Sequence, residues 1–312
     1  MSASYATALA AARDAAAAQD YPKSALYVVA TPIGNLADIT LRALHVLELA
    51  DTLACEDTRH TQQLLRAYGI HKSPGQWLAL HQHNEAQAAQ SVLSRLAEGQ
   101  RVAYVSDAGT PAVSDPGARL VAAVQQARLR CIPLPGASSV VSALSCAGAV
   151  APADEATGFV FAGFLPTKAA ERKAALAQIA QEPRTVILLE APHRIGQIVR
   201  ELEHLGERTV TLARELTKQF EEIATLPASA CSAWLAETPQ RSRGEFAIVV
   251  HPQSHAASPD ESKGEETLRL LLAELPLKTA VRLAAELTGA SRNQLYQRAL
   301  ALQGDGNGDG ND

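Results

Sequence analysis

Residues 101–117 consist of the apolar run RVAYV followed by the loop SDAGTPAVSDPG. A short apolar run bounded by turn residues predicts a buried strand over residues 101–105. The loop holds more Gly, Pro, Asp and Ser than a simple turn needs, and residues 118–127 after it predict a helix. A strand, a loop and a helix in this order predict one unit of a parallel sheet covered by helices.

The same order of elements recurs through residues 25–150, which we predict to form an N-terminal α/β domain. The other strands predicted in this domain span residues 26–30, 52–55, 77–80 and 131–134. A polar stretch over residues 149–158 indicates a boundary, and residues 151–252 predict a second α/β domain. The strands predicted in the second domain span residues 159–164, 186–190, 209–213, 222–225 and 246–250. The fold class is therefore α/β.

The remaining segments lie at the two ends of the chain. Residues 1–24 are rich in alanine and predict either a helix or a frayed extension. Residues 253–264 are polar and predict a linker. Residues 303–312 are rich in Gly and Asp and predict a disordered tail.

Residues 265–302, between that linker and the tail, contain two short helical patterns. The patterns cover residues 278–287 and 292–302, and Gly289 with Ala290 separates them. Two short helices joined by a tight turn predict a helix-turn-helix-like unit.

The composition limits the function. The chain has 28 Lys and Arg against 33 Asp and Glu, which gives a net charge of −5. This charge excludes a protein that coats nucleic acid without sequence specificity, but it does not exclude one particular RNA partner.

No uncharged apolar stretch is long enough for a membrane span. The four cysteines are far apart and predict reduced thiols in a cytoplasmic protein. His81 and His83 have no third partner nearby in sequence, so no metal site is expected.

The loops at the carboxyl ends of the predicted strands form the candidate ligand site, because parallel sheets bind ligands at that edge. The chain has no phosphate-binding loop of the nucleotide-binding types, which argues against NAD and ATP. The loop 106–117 is instead predicted to form a wall of backbone groups against a cofactor. Gly109 in this loop would allow a close approach of that cofactor.

Three clusters of charged residues follow strands, at residues 56–59, 190–194 and 214–218. For the first cluster two interpretations stay open. Asp57 either caps a helix and pairs with Arg59, or the cluster positions a substrate. The other two clusters are either surface ion pairs or parts of the site.

Six motifs in order resemble the ribosomal RNA small subunit methyltransferase I family, a branch of the tetrapyrrole methylase superfamily. They are TPIGNLADIT (31–40), EDTR (56–59), SDAGTPAVSDPG (106–117), EAPHR (190–194), RELTK (214–218) and GEF (244–246). In the family pattern an aromatic residue precedes EAPHR, whereas this chain has Leu189 there. An aromatic stacking interaction at this position is therefore not expected. The resemblance extends over residues 26–251 and fits the terminal helix pair.

The resemblance implies a bacterial, cytoplasmic homodimer with a cofactor cleft between its two α/β domains. It implies transfer of a methyl group from S-adenosylmethionine to the ribose 2′-oxygen of a cytidine. That cytidine lies in the decoding region of 16S rRNA, on the assembled 30S subunit. A membrane or DNA partner is not expected.

The site residues expected on this basis fall into three groups. Cofactor binding is assigned to Pro32, Gly34, Asn35, Asp107, Ala108, Gly109, Thr110, Pro111, Ser114, Pro135, Gly136, Ser138, Glu190 and Gly244. Substrate binding is assigned to Glu56, Arg59, His193, Arg194, Arg292 and Arg298. A ribose hydroxyl is a weak nucleophile that a base or a cation would assist. The candidates for this role are Lys218, Glu215, Arg214 and Asp57.

Two alternative functions remain. One is C-methylation of a tetrapyrrole, against which the TPIGN loop and the terminal helices argue. The other is regulation of transcription through DNA binding by the helix pair. Residues 265–302 carry five basic and four acidic residues, a net charge of only 5 − 4 = +1, which is weak for a DNA-binding face.

Overall fold

The computed structural model describes residues 5–81, 83–151, 157–253 and 259–305. Its first sheet contains five strands, which are β1 (Ala25–Val29), β2 (Thr52–Cys55), β3 (Trp77–Ala79), β4 (Arg101–Val105) and β5 (Arg130–Leu134). The strand order is β3-β2-β4-β1-β5, and every pair is parallel. The parallel sheet predicted from the repeated strand, loop and helix pattern is therefore confirmed.

Helices cover both faces of this sheet, because successive residues of a buried strand point to opposite sides. One face packs against α1 (Ala6–Ala16), α2 (Leu41–Leu49) and α3 (Thr58–Ala67). The other face packs against α4 (Glu85–Ala97) and α5 (Gly117–Gln126). Along β1, Tyr27 belongs to the first core and Leu26 to the second.

The alanine-rich start forms the helix α1, so a frayed extension is wrong for the residues that the structure describes. Leu9, Ala12 and Ala16 are buried in the same core as α2. Arg13 forms an ion pair with Glu48 of α2. Alanine has the highest helix propensity, and its small side chain allows the two helices to pack closely.

A second sheet contains β6 (Phe159–Phe164), β7 (Thr185–Glu190), β8 (Thr209–Arg214), β9 (Glu222–Pro227) and β10 (Phe246–Val250). Its order is β6-β7-β10-β8-β9, and the pairs β7–β10, β10–β8 and β8–β9 are antiparallel. One face packs against α7 (Ala169–Gln181), α8 (Pro192–Leu202) and α9 (Cys231–Ala236). The other face packs against α6 (Ser139–Ala147), which follows β5 of the first sheet.

The C-terminal region contains three helices, α10 (Pro259–Leu272), α11 (Leu277–Thr288) and α12 (Arg292–Asp305). They share a core that includes Leu268 and Ala284. The predicted linker 253–264 is therefore wrong from Pro259 onward, where α10 begins. Proline suits the first position of a helix because its φ is already helical and the amide it lacks would be unpaired there.

Contacts divide the chain into two compact units, one holding both sheets and the other the C-terminal helices. The predicted disordered tail lies outside the described residues from residue 306 onward. None of the helices in the described parts of the chain combines the length and apolar character of a membrane span.

Candidate functional site

A cavity of about 260 Å³ lies between the two sheets of the unit that holds them, and we call it the main cavity because the predicted loops surround it. It is bounded by the loops after β1 and β4, the start of α6, and the second sheet. Its apolar lining includes Ile33, Phe164, Leu189, Leu216 and Phe246. Its polar lining consists of Ser139, Glu190, Glu215, Lys218 and Glu245. A mostly apolar cavity with few convergent polar groups is typical of small-molecule sites.

A second cavity of about 170 Å³ shares Ala108, Ser139 and Leu189 with the main cavity. It lies along the loop that follows β4. Its remaining lining residues are Glu56, Ser106, Asp107, Gly109, Thr110, Val113, Ser114, Asp115, Ser138 and Val140. The two adjoining cavities place the loops after β1, β2 and β4 around one site.

The loops after β1 and β4 are joined by the backbone of Thr31 and Gly109, which form an isolated antiparallel bridge. Gly109 has a φ of +79°, a value that side chains rarely tolerate. A Cβ there would lie 3.2 Å from Ile33 Cγ2 and 3.7 Å from Ala137 O. The absence of a side chain at Gly109 permits this bridge and leaves room for Ile33. Gly109 also lines the second cavity, so the close approach of a cofactor to it stays a prediction.

The loop after β8 carries Glu215 and Lys218 into the main cavity. Glu215 and Thr217 have φ values of +51° and +67°, which cost free energy for residues other than glycine. Gly34 of the loop after β1 lies against this segment, since a Cβ there would overlap Lys218 and lie 3.0 Å from Thr217 Oγ1. A larger residue at position 34 would therefore displace the segment.

Lys218 is held between two carboxylates. Its Nζ lies 2.8 Å from Glu215 Oε1 and 3.1 Å from Glu245 Oε2. Burial lowers the pKa of Lys218, but the hydrogen bonds to Glu215 and Glu245 outweigh burial, so the pKa of the ammonium is raised. Lys218 is therefore a cation at neutral pH and is not suited to act as a base.

Glu215 is not suited to act as a base either. Burial raises the pKa of Glu215, but hydrogen bonds from Lys218 Nζ and from the amide of Glu245 outweigh burial. The net result is a lowered pKa, which describes a carboxylate that stays ionised and binds protons weakly.

Glu56, at the edge of the second cavity, has a raised pKa, in contrast to Glu215. Burial and the nearby carboxylates of Asp107 and Asp115 raise the pKa of Glu56. Asp115 itself is structural, because it accepts hydrogen bonds of 2.7 Å from both Tyr104 Oη and the amide of Gly117. This edge of the site is negative and would favour a cationic group.

Asp57 is the N-cap of α3. Its Oδ1 accepts hydrogen bonds from the amides of Arg59 at 2.8 Å and His60 at 3.4 Å. Its Oδ2 lies 3.3 Å from Arg59 Nη2. The capping interpretation is confirmed, and neither Asp57 nor Arg59 lines either cavity.

Arg214 also lies outside the cavity lining. Its guanidinium is buried and donates hydrogen bonds to the carbonyls of Arg243 at 2.7 Å and Phe220 at 3.1 Å. It forms an ion pair with Glu222 at 3.5 Å. The structure therefore places Arg214 behind the cavity wall, where it contacts the loops that precede β10 and follow β8.

Glu190 ends β7 and lines the main cavity with a side chain that is only 1% exposed. Its Oε1 accepts a hydrogen bond of 2.8 Å from the amide of Ala191. Its Oε2 lies 3.3 Å from Arg194 Nη2 but has no hydrogen bond in the described structure. Arg194 also donates to the carbonyl of Leu165 at 2.6 Å, whereas His193 is exposed on α8.

Seven of the fourteen expected cofactor residues line one of the cavities, namely Asp107, Ala108, Gly109, Thr110, Ser114, Ser138 and Glu190. The other seven line neither cavity, namely Pro32, Gly34, Asn35, Pro111, Pro135, Gly136 and Gly244. Sequence reasoning missed several lining residues, including Ile33, Ser139, Phe164, Leu216 and Glu245. Phe164 is an aromatic residue at the end of the predicted strand 159–164, and this position could have indicated a role in the site. Glu245 lies within the GEF motif.

The two arginines expected to bind substrate in the C-terminal unit differ. Arg298 Nη2 lies 2.9 Å from Glu265 Oε1, and Arg269 pairs with the same carboxylate. Arg292 is exposed, and no ion pair with it is found in the described parts of the chain. Of the two, only Arg292 lies outside an ion pair in the described parts of the chain.

Comparison with known families agrees with this architecture. Residues 25–231 match the family of Tetrapyrrole (Corrin/Porphyrin) Methylases, and residues 257–303 match the RsmI C-terminal HTH domain. The α/β fold of tetrapyrrole-methylase type and the terminal helix-turn-helix unit are therefore confirmed.

Individual proteins with similar sequences indicate which group of methyltransferases this chain belongs to. The chain is 47% identical over 289 residues to ribosomal RNA small subunit methyltransferase I of Escherichia coli O157:H7, which covers 91% of this chain and 98% of that protein. The enzyme of the same name from Neisseria meningitidis serogroup B is 44% identical over 278 residues, with 88% and 93% covered. The chain belongs to the ribosomal RNA small subunit methyltransferase I family of methyltransferases.

Solved structures show the same fold at low identity. The methyltransferase CobJ aligns with a TM-score of 0.52 and 19% identity, covering 74% of this chain and 94% of that one. The cobalamin biosynthetic enzyme cobalt precorrin-4 methyltransferase, CbiF, gives a TM-score of 0.51 and 18% identity, with 73% and 95% covered. At these identities the likeness extends to the fold alone.

Proposed function

We propose that this protein transfers a methyl group from S-adenosylmethionine to the ribose 2′-oxygen of a cytidine in 16S rRNA. The target lies in the decoding region, and the substrate is the assembled 30S subunit. The observation that carries this proposal is the mostly apolar cavity whose edge holds the Lys218 ammonium between Glu215 and Glu245. Membership of the rRNA methyltransferase family supports the choice of RNA as substrate.

The residues of the two cavities fit S-adenosylmethionine. The buried Glu190 Oε2 lies near Arg194 but has no hydrogen bond within the described residues, and it would accept one from a ribose hydroxyl of the adenosine. Leu189 and Phe246 supply apolar surface for the adenine. Glu56 and Asp107 give the second cavity a negative edge, which suits the positively charged amino group of the methionyl part.

S-adenosylmethionine supplies an electrophilic methyl group on a sulfonium. The protein has to hold the 2′-oxygen in line with that methyl group and to exclude water from the site. We assign the Lys218 ammonium the role of stabilising negative charge that develops on the ribose oxygen. Because its pKa is raised, we assign it the role of a cation. No residue of the main cavity is assigned the role of a general base, so the 2′-hydroxyl proton would pass to water at the mouth of the cavity as the oxygen takes the methyl group.

A docked RNA particle is consistent with the acidic net charge of −5. Recognition by shape over a large surface does not need a generally basic groove. We further propose that the protein acts as a cytoplasmic homodimer. C-methylation of a tetrapyrrole and DNA-based regulation are disfavoured, because the relatives at 44–47% identity carry the name of an rRNA methyltransferase.

The decisive experiment maps ribose methylation of 16S rRNA in a strain that lacks the gene. We expect one cytidine in the decoding region to lose its 2′-O-methyl group and to regain it on complementation. A decoding-region cytidine that stays fully methylated in the deletion strain would refute the proposal. Purified protein with 30S particles or naked 16S rRNA then decides which form is the substrate.

A further inference from the structure

Arg214 connects two loops beneath the main cavity. Its guanidinium donates to the carbonyl of Phe220, in the loop that follows β8, and to the carbonyl of Arg243, in the loop that precedes β10. The side chain is only 9% exposed, and Glu222 lies 3.5 Å away as its counter-ion. A buried arginine bonded to two carbonyls fixes both loops, because its loss would leave those carbonyls unpaired.

On the cavity side, Glu215 connects the same two loops. Its backbone amide donates to the carbonyl of Glu245 at 2.9 Å, and its Oε1 accepts from the amide of Glu245 at 3.0 Å. The same Oε1 accepts from Lys218 Nζ at 2.8 Å. Arg214 and Glu215 therefore hold the segment from opposite sides.

The segment between these contacts is strained. Glu215 and Thr217 both have positive φ values although neither is glycine. Thr217 also donates its amide to Glu221 Oε2 at 2.5 Å, which tightens the turn. Such a conformation persists only where surrounding contacts enforce it.

We infer that Arg214 is a positioning residue, which holds segment 215–218 in its strained conformation and thereby fixes the Lys218 ammonium at the edge of the main cavity. The catalytic consequence rests on the proposed function, whereas the placement of Lys218 does not. This assignment replaces the expectation that Arg214 itself takes part in the reaction.

The first test observes Lys218 directly. Lysines of the full-length protein are dimethylated with carbon-13 formaldehyde, and the Lys218 resonance is assigned with a Lys218→Arg variant. In the wild type we expect a resonance separate from those of exposed lysines, because Lys218 Nζ is held by two carboxylates. In Arg214→Met it should move to the position of the exposed lysines. The matched control is Arg172→Met, since Arg172 is equally buried, pairs with Glu201 and donates to two carbonyls elsewhere.

The second test measures kinetics on unmodified protein with 30S particles and S-adenosylmethionine. Arg214→Met should lower kcat on the order of 10²-fold, with a smaller change in KM for the cofactor, because misplacement of a reacting group acts on the chemical step. In a Lys218→Met background the same substitution should have little further effect on kcat. Arg214→Lys should recover part of the loss.

The outcomes separate the two proposals. A folded Arg214→Met protein with an unchanged Lys218 resonance would overturn the inference, as would equal kcat losses in both backgrounds. If Arg214→Met does not fold, Arg214→Lys takes its place and should give an intermediate Lys218 resonance. A wild-type protein that methylates no RNA, but whose Lys218 resonance still depends on Arg214, would refute the proposed function and leave the inference intact.

Discussion

Thr31 and Gly109 exchange two backbone hydrogen bonds, of 2.9 Å and 3.0 Å, although they belong to loops that are distant in sequence. Through this pair the loop after β1 and the loop after β4 form one continuous wall. Ile33, two residues beyond Thr31, lines the main cavity and lies against Gly109. The shape of the cavity therefore depends on the conformation of a glycine that does not itself line the main cavity.

The first prediction concerns Gly109→Ala. The left-handed conformation costs a non-glycine residue about 1–2 kcal/mol, and the new Cβ would also press on Ile33 at 3.2 Å. We expect a lower free energy of unfolding and a weaker affinity for S-adenosylmethionine, measured by urea denaturation and calorimetric titration. Unchanged affinity in a destabilised but folded variant would show that the wall does not bind the cofactor.

Gly69→Ala provides the control. Gly69 has almost the same φ, +80°, but a Cβ there would meet no atom within 4 Å. This variant should lose stability through backbone strain alone, with unchanged cofactor affinity. The difference between the two variants measures the effect of the surroundings of Gly109, which are Ile33 and the second cavity.

The second prediction concerns the charge of Lys218. Lys218→Met removes the cation but keeps much of the side-chain volume, so kcat should fall by about 10²–10³-fold, the usual effect of losing one stabilising donor. Single-turnover methylation of 30S particles at saturating cofactor measures it. A general base would give a kcat that rises with pH across the neutral range, whereas a cation with a raised pKa predicts a flat profile there. A profile that follows an ionisation near pH 7 and disappears in Lys218→Met would contradict the assignment.

Much of the fold follows from periodicity in the sequence. Buried strands such as β4 are short apolar runs, and their loops are marked by Gly and Pro. The helix α10 was missed as a whole, because only two helices were predicted in this region. Its start, residues 259–264, is polar and lacks an apolar repeat. The only local signal was Pro259 followed by two acidic residues, which is typical of a helix start but also occurs in loops.

The sequence could predict which loops form the site, but not which side chains contact each other within it. The motifs RELTK and GEF indicated that segments 214–218 and 244–246 matter, but not that Lys218 and Glu245 form an ion pair. Distances between loops depend on how the sheets pack, which no local pattern encodes. Similarly, the positive φ values of Glu215 and Thr217 arise from tertiary contacts, because neither residue type favours that conformation.

The third prediction concerns the pH dependence of stability through Glu56. Burial and the carboxylates of Asp107 and Asp115 raise its pKa above the ordinary 4.5. The folded state therefore binds this proton more tightly than the unfolded state, so the contribution of Glu56 to stability falls as pH rises from 4.5 through the raised pKa. Glu56→Gln should be more stable than the wild type at pH 7, and the difference should vanish near pH 4. Urea denaturation from pH 4 to pH 8 measures this.

Asp107→Asn tests whether the carboxylate of Asp107 helps to raise the pKa of Glu56. Removing this neighbouring charge lowers the pKa of Glu56, so Glu56→Gln should stabilise the Asp107→Asn protein less than it stabilises the wild type. Equal gains in the two backgrounds would mean that Asp107 does not act on Glu56. A pH-independent gain would indicate a packing effect.

The last prediction concerns docking by the C-terminal helices. Arg292 is exposed, and no ion pair with it is found among residues 259–305, whereas Arg298 is paired with Glu265. If these helices contact RNA, Arg292→Gln should weaken binding to 30S particles and reduce the slope of log affinity against log salt by about 1, the effect of losing one phosphate contact. Arg298→Gln should change both less, because Arg298 is already held in an ion pair with Glu265. Both variants should bind S-adenosylmethionine normally, since no loop of the two cavities lies in this unit. Filter binding over a series of salt concentrations measures the slope, and equal slopes for Arg292→Gln and the wild type would exclude Arg292 from the RNA contact.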